Sequence, residues 1–285
     1  MVQLDAFKMD SKVLVPKLSK MGLKQQALIK HEFDVTYMFR NYGVNKRSFL
    51  EWMLNKMQPT GNEAVLDYSY IKHLIPYPEQ AYFNSFEKVY VLANANQPFR
   101  AKLKLFDCFL EIIIRLNYNI KIDVPSNSVD YIYANYRFSP MDEAEEEVTL
   151  LEFLRILKST GTLYLTALSS EYYSAIHKLF EEYDVKEVNL SFQNIDQVTN
   201  RLKGFFEDVR VDTYKTDLWI TNADDLISYI LLDPELKHFN SVISSQGISK
   251  LRHSLAQKIQ KDGGILIPYH VNVIESRQGV QLKLV

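Results

Sequence analysis

Residues able to do chemistry are sparse in this 285-residue chain, and one stretch stands out. Asp67 closes the short apolar run Ala64-Val65-Leu66, and Tyr68-Ser69-Tyr70-Ile71-Lys72-His73 follows it. An apolar run ending in a carboxylate reads as the first strand of an α/β sheet. In a nucleotide-binding α/β domain the turn after that strand is where the ligand sits. It is glycine-rich there, because the backbone must approach the ligand with no Cβ in the way. Here the turn holds no glycine, and none of the nine glycines falls between Asn62 and Thr160. The strand reads as a ligand-binding strand, and its loop as one that has been filled in.

Other chemistry finds little support. The six histidines (31, 73, 177, 238, 253 and 270) show no H-E-x-x-H or related spacing, so no metal site is expected. His73 alone lies in the suspected groove, where a general base and a packed or solvated ring are both open readings. Ser169-Ser170 and Ser244-Ser245 lack a nucleophile-elbow pattern. Cys108, the only cysteine, sits in the apolar run Leu105 to Ile114, as an inert buried thiol would in a reducing cytoplasm. The acidic run Asp142 to Glu147 opens a helix, where carboxylates suit the macrodipole, rather than a metal site.

Composition sets the wider frame. Hydrophobic residues make up 47% and charged residues 24%, enough for a sizeable core. A net charge of -2 gives no reason to expect nucleic acid or an acidic membrane as partner. No signal-peptide h-region and no apolar run near the ~20 residues of a membrane span is present, so a cytoplasmic location is expected.

The elements that must hold Asp67 in place follow from periodicity. Helical spacing covers parts of 25–39 and, better, Lys46 to Met57. A helix is expected over Glu79 to Lys88 and a second strand over Val89 to Ala93. Asn96 and Pro98 then read as the start of a helix running from Arg100 to Arg115. Strands are expected over Tyr118 to Ile122, Val129 to Ala134 and Thr162 to Leu168, with a helix to Lys158 closed by Ser159-Thr160-Gly161. Helices over Glu171 to Tyr183 and Asp196 to Phe206 precede strands at Val209 to Tyr214 and Leu218 to Thr221. Asn222 caps a helix to Leu232, Lys250 to Lys261 is the last helix, and Ile265 to Leu284 reads as terminal strands. Strands alternating with helices imply a mostly parallel sheet with helices on both faces.

Three segments carry a family resemblance. Leu150 to Thr166 looks like a helix, an L-K-P-G-G-type turn and a strand. Asn127-Ser128-Val129-Asp130-Tyr131-Ile132-Tyr133-Ala134-Asn135 is similar to N-S-F-D-x-V-x-A-N. Phe205 to Val211 followed by Ile220 to Leu226 is the third, and Gly263-Gly264 before a strand pair fits too. In this order they resemble the class I S-adenosylmethionine-dependent methyltransferases of the bacterial small-molecule type. The resemblance implies a Rossmann-like, seven-stranded α/β class I methyltransferase fold. It divides the chain into an N-terminal helical extension and lid (1–60), an α/β core (61–221) and C-terminal helices and strands completing the same domain (222–285).

The family's cofactor contacts map onto named positions. Its Asp-x-Gly-x-Gly-x-Gly motif falls on Asp67 to His73, so Ser69, Ile71 and His73 stand where glycines would. The acidic residue that binds the ribose falls on Asn94, and the one that faces adenine near Tyr118 or Asn119. Asp67, Ser69, Asn94, Asn119 and Asn135 are thus the family-matched cofactor positions. Tyr37 and Arg40 in the lid, and Tyr136 and Arg137 after the fourth strand, are candidate pocket residues, and Tyr42 belongs with the lid group.

The joint loss of the glycine loop and the acidic contacts points first to a pseudoenzyme. Such a protein would bind no cofactor and act as a non-catalytic binding or assembly partner, with a protein or a second copy of itself. The alternatives are an active, divergent small-molecule methyltransferase that uses S-adenosylmethionine, and a cleft re-used for another ligand or reaction.

Overall fold

A computed structural model describes residues 35–45, 47–68, 85–95, 99–105, 108–116, 121–135, 143–181, 195–232 and 247–279, with Leu236, Phe239 and Ile243 between the last two ranges. The elements in chain order are α1 (Val35–Tyr42), α2 (Phe49–Met57), β1 (Ala64–Asp67), β2 (Lys88–Ala95), β3 (Phe99–Leu105), β4 (Cys108–Leu116) and β5 (Val129–Asn135). Then come α3 (Glu143–Ile156), β6 (Leu157–Leu168), α4 (Ser170–Lys178), α5 (Ile195–Leu202), β7 (Phe206–Ile220), α6 (Ala223–Leu232), α7 (Ile248–Asp262) and β8 (Ile265–Gly279).

The chain divides into two compact units, one of residues 1–42 and 219–265, the other of 43–218 and 266–285. In the first, α6 begins where the Asn222 side chain accepts from the Asp224 N–H at 2.8 Å, as an N-cap does. Tyr42 of α1 donates to the Asp225 carboxylate of α6, and Arg252 of α7 bonds Asp224. α7 stops at Gly263, whose φ of 80° is the left-handed conformation glycine adopts without strain.

The second unit carries the sheet. Its strand order is β3-β4-β2-β1-β5-β6-β8-β7. β1 lies parallel to β2 and β5, β5 parallel to β6, and β8 antiparallel to β6. Setting β3 aside, seven strands remain, as the resemblance implies. One face of the sheet sends Leu66, Ile132 and Leu163 into a cluster with Leu150, Phe153 and Ile156 of α3, all fully buried. On the other face the Tyr131 hydroxyl donates to the Met57 carbonyl at 3.1 Å, at the end of α2.

The segment before β5 is fastened from α3. The Arg155 guanidinium donates to the Ile122 carbonyl at 2.8 Å, the Val124 carbonyl at 2.9 Å and Ser126 Oγ at 3.1 Å. It also pairs with the Glu152 carboxylate at 2.8 Å, and Glu152 accepts from the Ile122 N–H.

Several expectations are corrected. The helix expected over Arg100 to Arg115 is a hairpin of β3 and β4, antiparallel from Phe99↔Ile114 to Leu105↔Cys108. The reason is legible in Phe-Arg-Ala-Lys-Leu-Lys-Leu, which alternates with period two, and in the β-branched run Ile112-Ile113-Ile114. The third parallel strand is therefore β4, and Ile122, expected in a strand, lies outside one. Ser159-Thr160-Gly161 does not close the preceding helix. α3 ends at Ile156 and β6 starts at Leu157 through an irregular register against β5. A Cβ on Gly161 would meet the Lys158 carbonyl at 2.9 Å, so the irregularity needs glycine. The two strands expected on either side of Lys215-Thr216-Asp217 are one, because Thr216 turns inward and its Oγ accepts from the Asn45 N–H at 3.2 Å. Of the helix expected over Glu79 to Lys88, residues 79–84 lie outside the described residues, and 85–88 are not helical but a turn leading into β2, which starts at Lys88.

Phe153 fills the core between α3 and β1, whereas Leu151 on the same helix is 37% exposed. Phe153→Ala is expected to cost about 3–5 kcal/mol in urea unfolding, and Leu151→Ala under ~1 kcal/mol.

Candidate functional site

In strand order the chain moves outward from β1 to β2 and β4, then returns to pair β5 with the opposite side of β1. The reversal lies between β1 and β5, and in open α/β sheets ligands bind at the carboxyl ends of the strands flanking such a point. Asp67 and Tyr133 are register partners there. Opposed residues in neighbouring strands share a face, so the carboxylate and the phenol stand side by side. The Tyr68 N–H donates to the Tyr133 carbonyl at 2.7 Å, which holds the two strand ends together.

Asp67 is 8% exposed. The Tyr133 phenol is held well above its usual range, first by burial, then by the negative charge of Asp67 and by Tyr269. The pair is therefore a carboxyl group next to a phenol that keeps its proton at neutral pH. It suits the hydroxyl or amine of a ligand, and it offers no nucleophile. Behind it on the same face, Tyr131 lies 6.1 Å from Phe86 and 6.3 Å from Tyr164, centroid to centroid. The Tyr164 phenol is likewise raised, by burial first and then by Glu275.

Tyr68 does not enter the crevice. Its ring is 1% exposed and stands edge-on to Phe153 at 5.0 Å. β2 and β4 continue well past β1. Val91 is the partner of Asp67, and the β2–β4 ladder runs on through Asn94↔Arg115 to Ala95↔Leu116. Asn94 is thus three residues, about 10 Å, beyond the level of Asp67. The position matched to a ribose contact at a strand end is instead a ladder residue within a strand.

Asn135, the last residue of β5, pairs with Thr166 of β6, two residues past Tyr133. Tyr37 and Arg40 are on α1, where Arg40 is exposed. Ser69, Ile71, His73, Tyr118, Asn119, Tyr136 and Arg137 lie outside the described residues. Of the expected cofactor positions, Asp67 falls at the switch point, and Tyr133 joins it. Tyr133 is not among the site residues expected from the sequence. No local pattern marks it, because its place beside Asp67 depends on the pairing of β5 with β1.

The acidic run behaves as a helix start with one exception. Glu143, Glu145 and Glu147 are exposed, but Glu146 is buried and pairs with Arg201 of α5. Burial raises the Glu146 pKa, Arg201 opposes that rise, and Glu143 adds to it. Among the described residues no group of three or more His, Cys, Asp or Glu could hold a metal ion. Among them, no helix is long and apolar enough to cross a membrane.

No protein-family model and no curated protein sequence matches the chain. Solved structures do. The YcgJ protein of Bacillus subtilis is 10% identical with a TM-score of 0.46, covering 81% of this chain and 98% of its own. An S-adenosylmethionine-dependent methyltransferase from Aquifex aeolicus is 16% identical with a TM-score of 0.39, covering 66% of this chain and 89% of its own. The [4+2]-cyclase SpnF is 12% identical with a TM-score of 0.41, covering 89% and 95%. The strand order, with β8 antiparallel beside β6, decides the architecture. The fold is that of the class I methyltransferases. To their seven-stranded sheet this chain adds β3 at one edge.

The raised phenol has a measurable consequence. Below pH 10 both folded and unfolded Tyr133 are protonated. Above it the unfolded phenol ionises first, so the unfolded state binds fewer protons and stability falls as pH rises. Tyr133→Phe is expected to lessen the fall in Tm between about pH 9 and 11 in circular-dichroism melts.

Proposed function

We propose that this chain keeps a methyltransferase scaffold without ordinary S-adenosylmethionine binding, and works as a non-catalytic binding or assembly partner. The observation that carries this reading is the continuation of the β2–β4 ladder past the end of β1. It puts Asn94 within a strand, about 10 Å from the level of Asp67. Two sequence features support it. Side chains replace glycine at Ser69, Ile71 and His73, and an amide replaces the ribose-binding carboxylate at Asn94.

The magnitudes favour loss over adjustment. Losing a charge-assisted hydrogen bond costs about 1.5–3 kcal/mol. Two such losses weaken a micromolar site about 100-fold or more, since each ~1.4 kcal/mol is tenfold. In isothermal titration calorimetry, S-adenosylmethionine is expected to give no saturating signal with a Kd below about 0.1 mM. A stoichiometric signal in the micromolar range would overturn the proposal.

One observation favours a second reading, that of an active, divergent methyltransferase. Asp67 is kept at the switch point and is buried beside the Tyr133 phenol. On this reading S-adenosylhomocysteine raises Tm, by the mass action of a ligand that binds only the folded chain. Asp67→Asn would abolish that rise. On the first reading, millimolar S-adenosylhomocysteine leaves Tm unchanged in both proteins.

A further inference from the structure

β7 is the last strand in the sheet order, so one of its edges has no strand neighbour among the described residues. The upper part of that edge is covered. Gly43 bridges Leu218, the Val44 N–H donates to the Asp217 carbonyl at 2.9 Å, and the Asn45 side-chain amide donates to the Lys215 carbonyl at 3.2 Å. These contacts identify the odd-numbered residues as the ones whose backbone groups point off the sheet. Strand alternation carries the assignment down to Thr213, Val211 and Val209. The Thr213 N–H is held by the Asp212 carboxylate of its own chain at 2.8 Å. Arg210, Val211 and Asp212 are exposed, Val211 at 47%.

An open edge of this kind is a template for another strand, and proteins commonly guard such edges with charge. Here the charges have an order that fits one partner. We propose that two copies of this chain pair edge to edge through β7, antiparallel, with Val211 on the two-fold axis. In that register Val211 exchanges both backbone hydrogen bonds with Val211 of the second copy, and the Val209 N–H donates to the Thr213 carbonyl while the Thr213 N–H stays with Asp212. Arg210 then stands opposite Asp212 and Asp212 opposite Arg210, in the positions where cross-strand side chains approach most closely.

Neighbouring registers fit worse. Centring on Thr213 sets Arg210 against Thr216 and Asp212 against Tyr214, with no opposite-charge pair. Centring on Val209 sets Asp208 against Arg210, a pair that each chain already makes within itself, and leaves Asp212 against Phe206 and Glu207 against Val211. In the favoured register Asp208 faces Tyr214, and within its own chain it already holds Arg210 Nε at 2.9 Å. Asp212 already has Lys56 at 3.2 Å, so each cross-copy ion pair joins a small network. The same patch on both copies makes the contact isologous, and it closes at two. This pairing stands whether or not the cleft binds a cofactor.

Sedimentation velocity on the full chain, over about 1–100 µM, tests it. A concentration-dependent dimer is expected. R210D and D212R should each raise the dimer Kd at least about tenfold, because each puts like charges face to face. Mixing the two variants in equal amounts should restore association, since Asp at 210 then meets Arg at 212, and the R210D/D212R double variant should dimerise alone. Val211→Lys, at an exposed position, should dissociate the dimer independently of the ion pairs. A monomer at every concentration would overturn the proposal. So would a dimer that the single variants leave intact, or single variants that fail to re-associate when mixed.

Discussion

The Tyr68 N–H donates to the Tyr133 carbonyl while the Tyr68 ring stands edge-on to Phe153 in the core. The first contact ties the end of β1 to β5 across the point where strand order reverses. The second ties the same residue to α3. A residue held from both sides sets where β1 ends, and so which side chains stand at the mouth of the crevice. Asp67 turns to one face with Tyr133, and Tyr68 turns to the other. Shifting β1 by a single residue would exchange them, placing a carboxylate in an apolar core.

How far the sequence discloses this depends on which physical signal a segment carries. β1, β5 and α7 were legible because their apolar periods and stop signals agree, as with Gly263 after Asp262. The β3–β4 hairpin was misread as a helix because Asn96 and Pro98 look like a helix start. The period-two alternation from Phe99 to Leu105 was the stronger signal. β7 was split in two because Lys215-Thr216-Asp217 is polar, yet Thr216 is buried with a backbone partner. The site was half legible. Asp67 could be read from its place after an apolar run. Tyr133 could not, because its meaning comes from pairing with a strand 66 residues away in sequence, a register that no local pattern contains.

Polar burial elsewhere follows the same economy. Glu146 is buried against Arg201, so its charge is paired as it leaves water. The other carboxylates of the first turn of α3 stay in solvent and favour the helix dipole from there. One acidic run thus does two jobs, divided by which face of the helix each residue occupies.

The Arg155 fork has a consequence for how this protein can vary. Three of its acceptors lie within the five residues from Ile122 to Ser126, at spacings set by a rigid, planar group. A lysine, with one compact ammonium, would not reach all three in those directions. An insertion or deletion inside those five residues would move at least one acceptor out of range, whereas length changes outside them meet no such constraint from Arg155. This turn lies before β5, at the end of that strand opposite the crevice, and a side chain rather than its own backbone dictates its length.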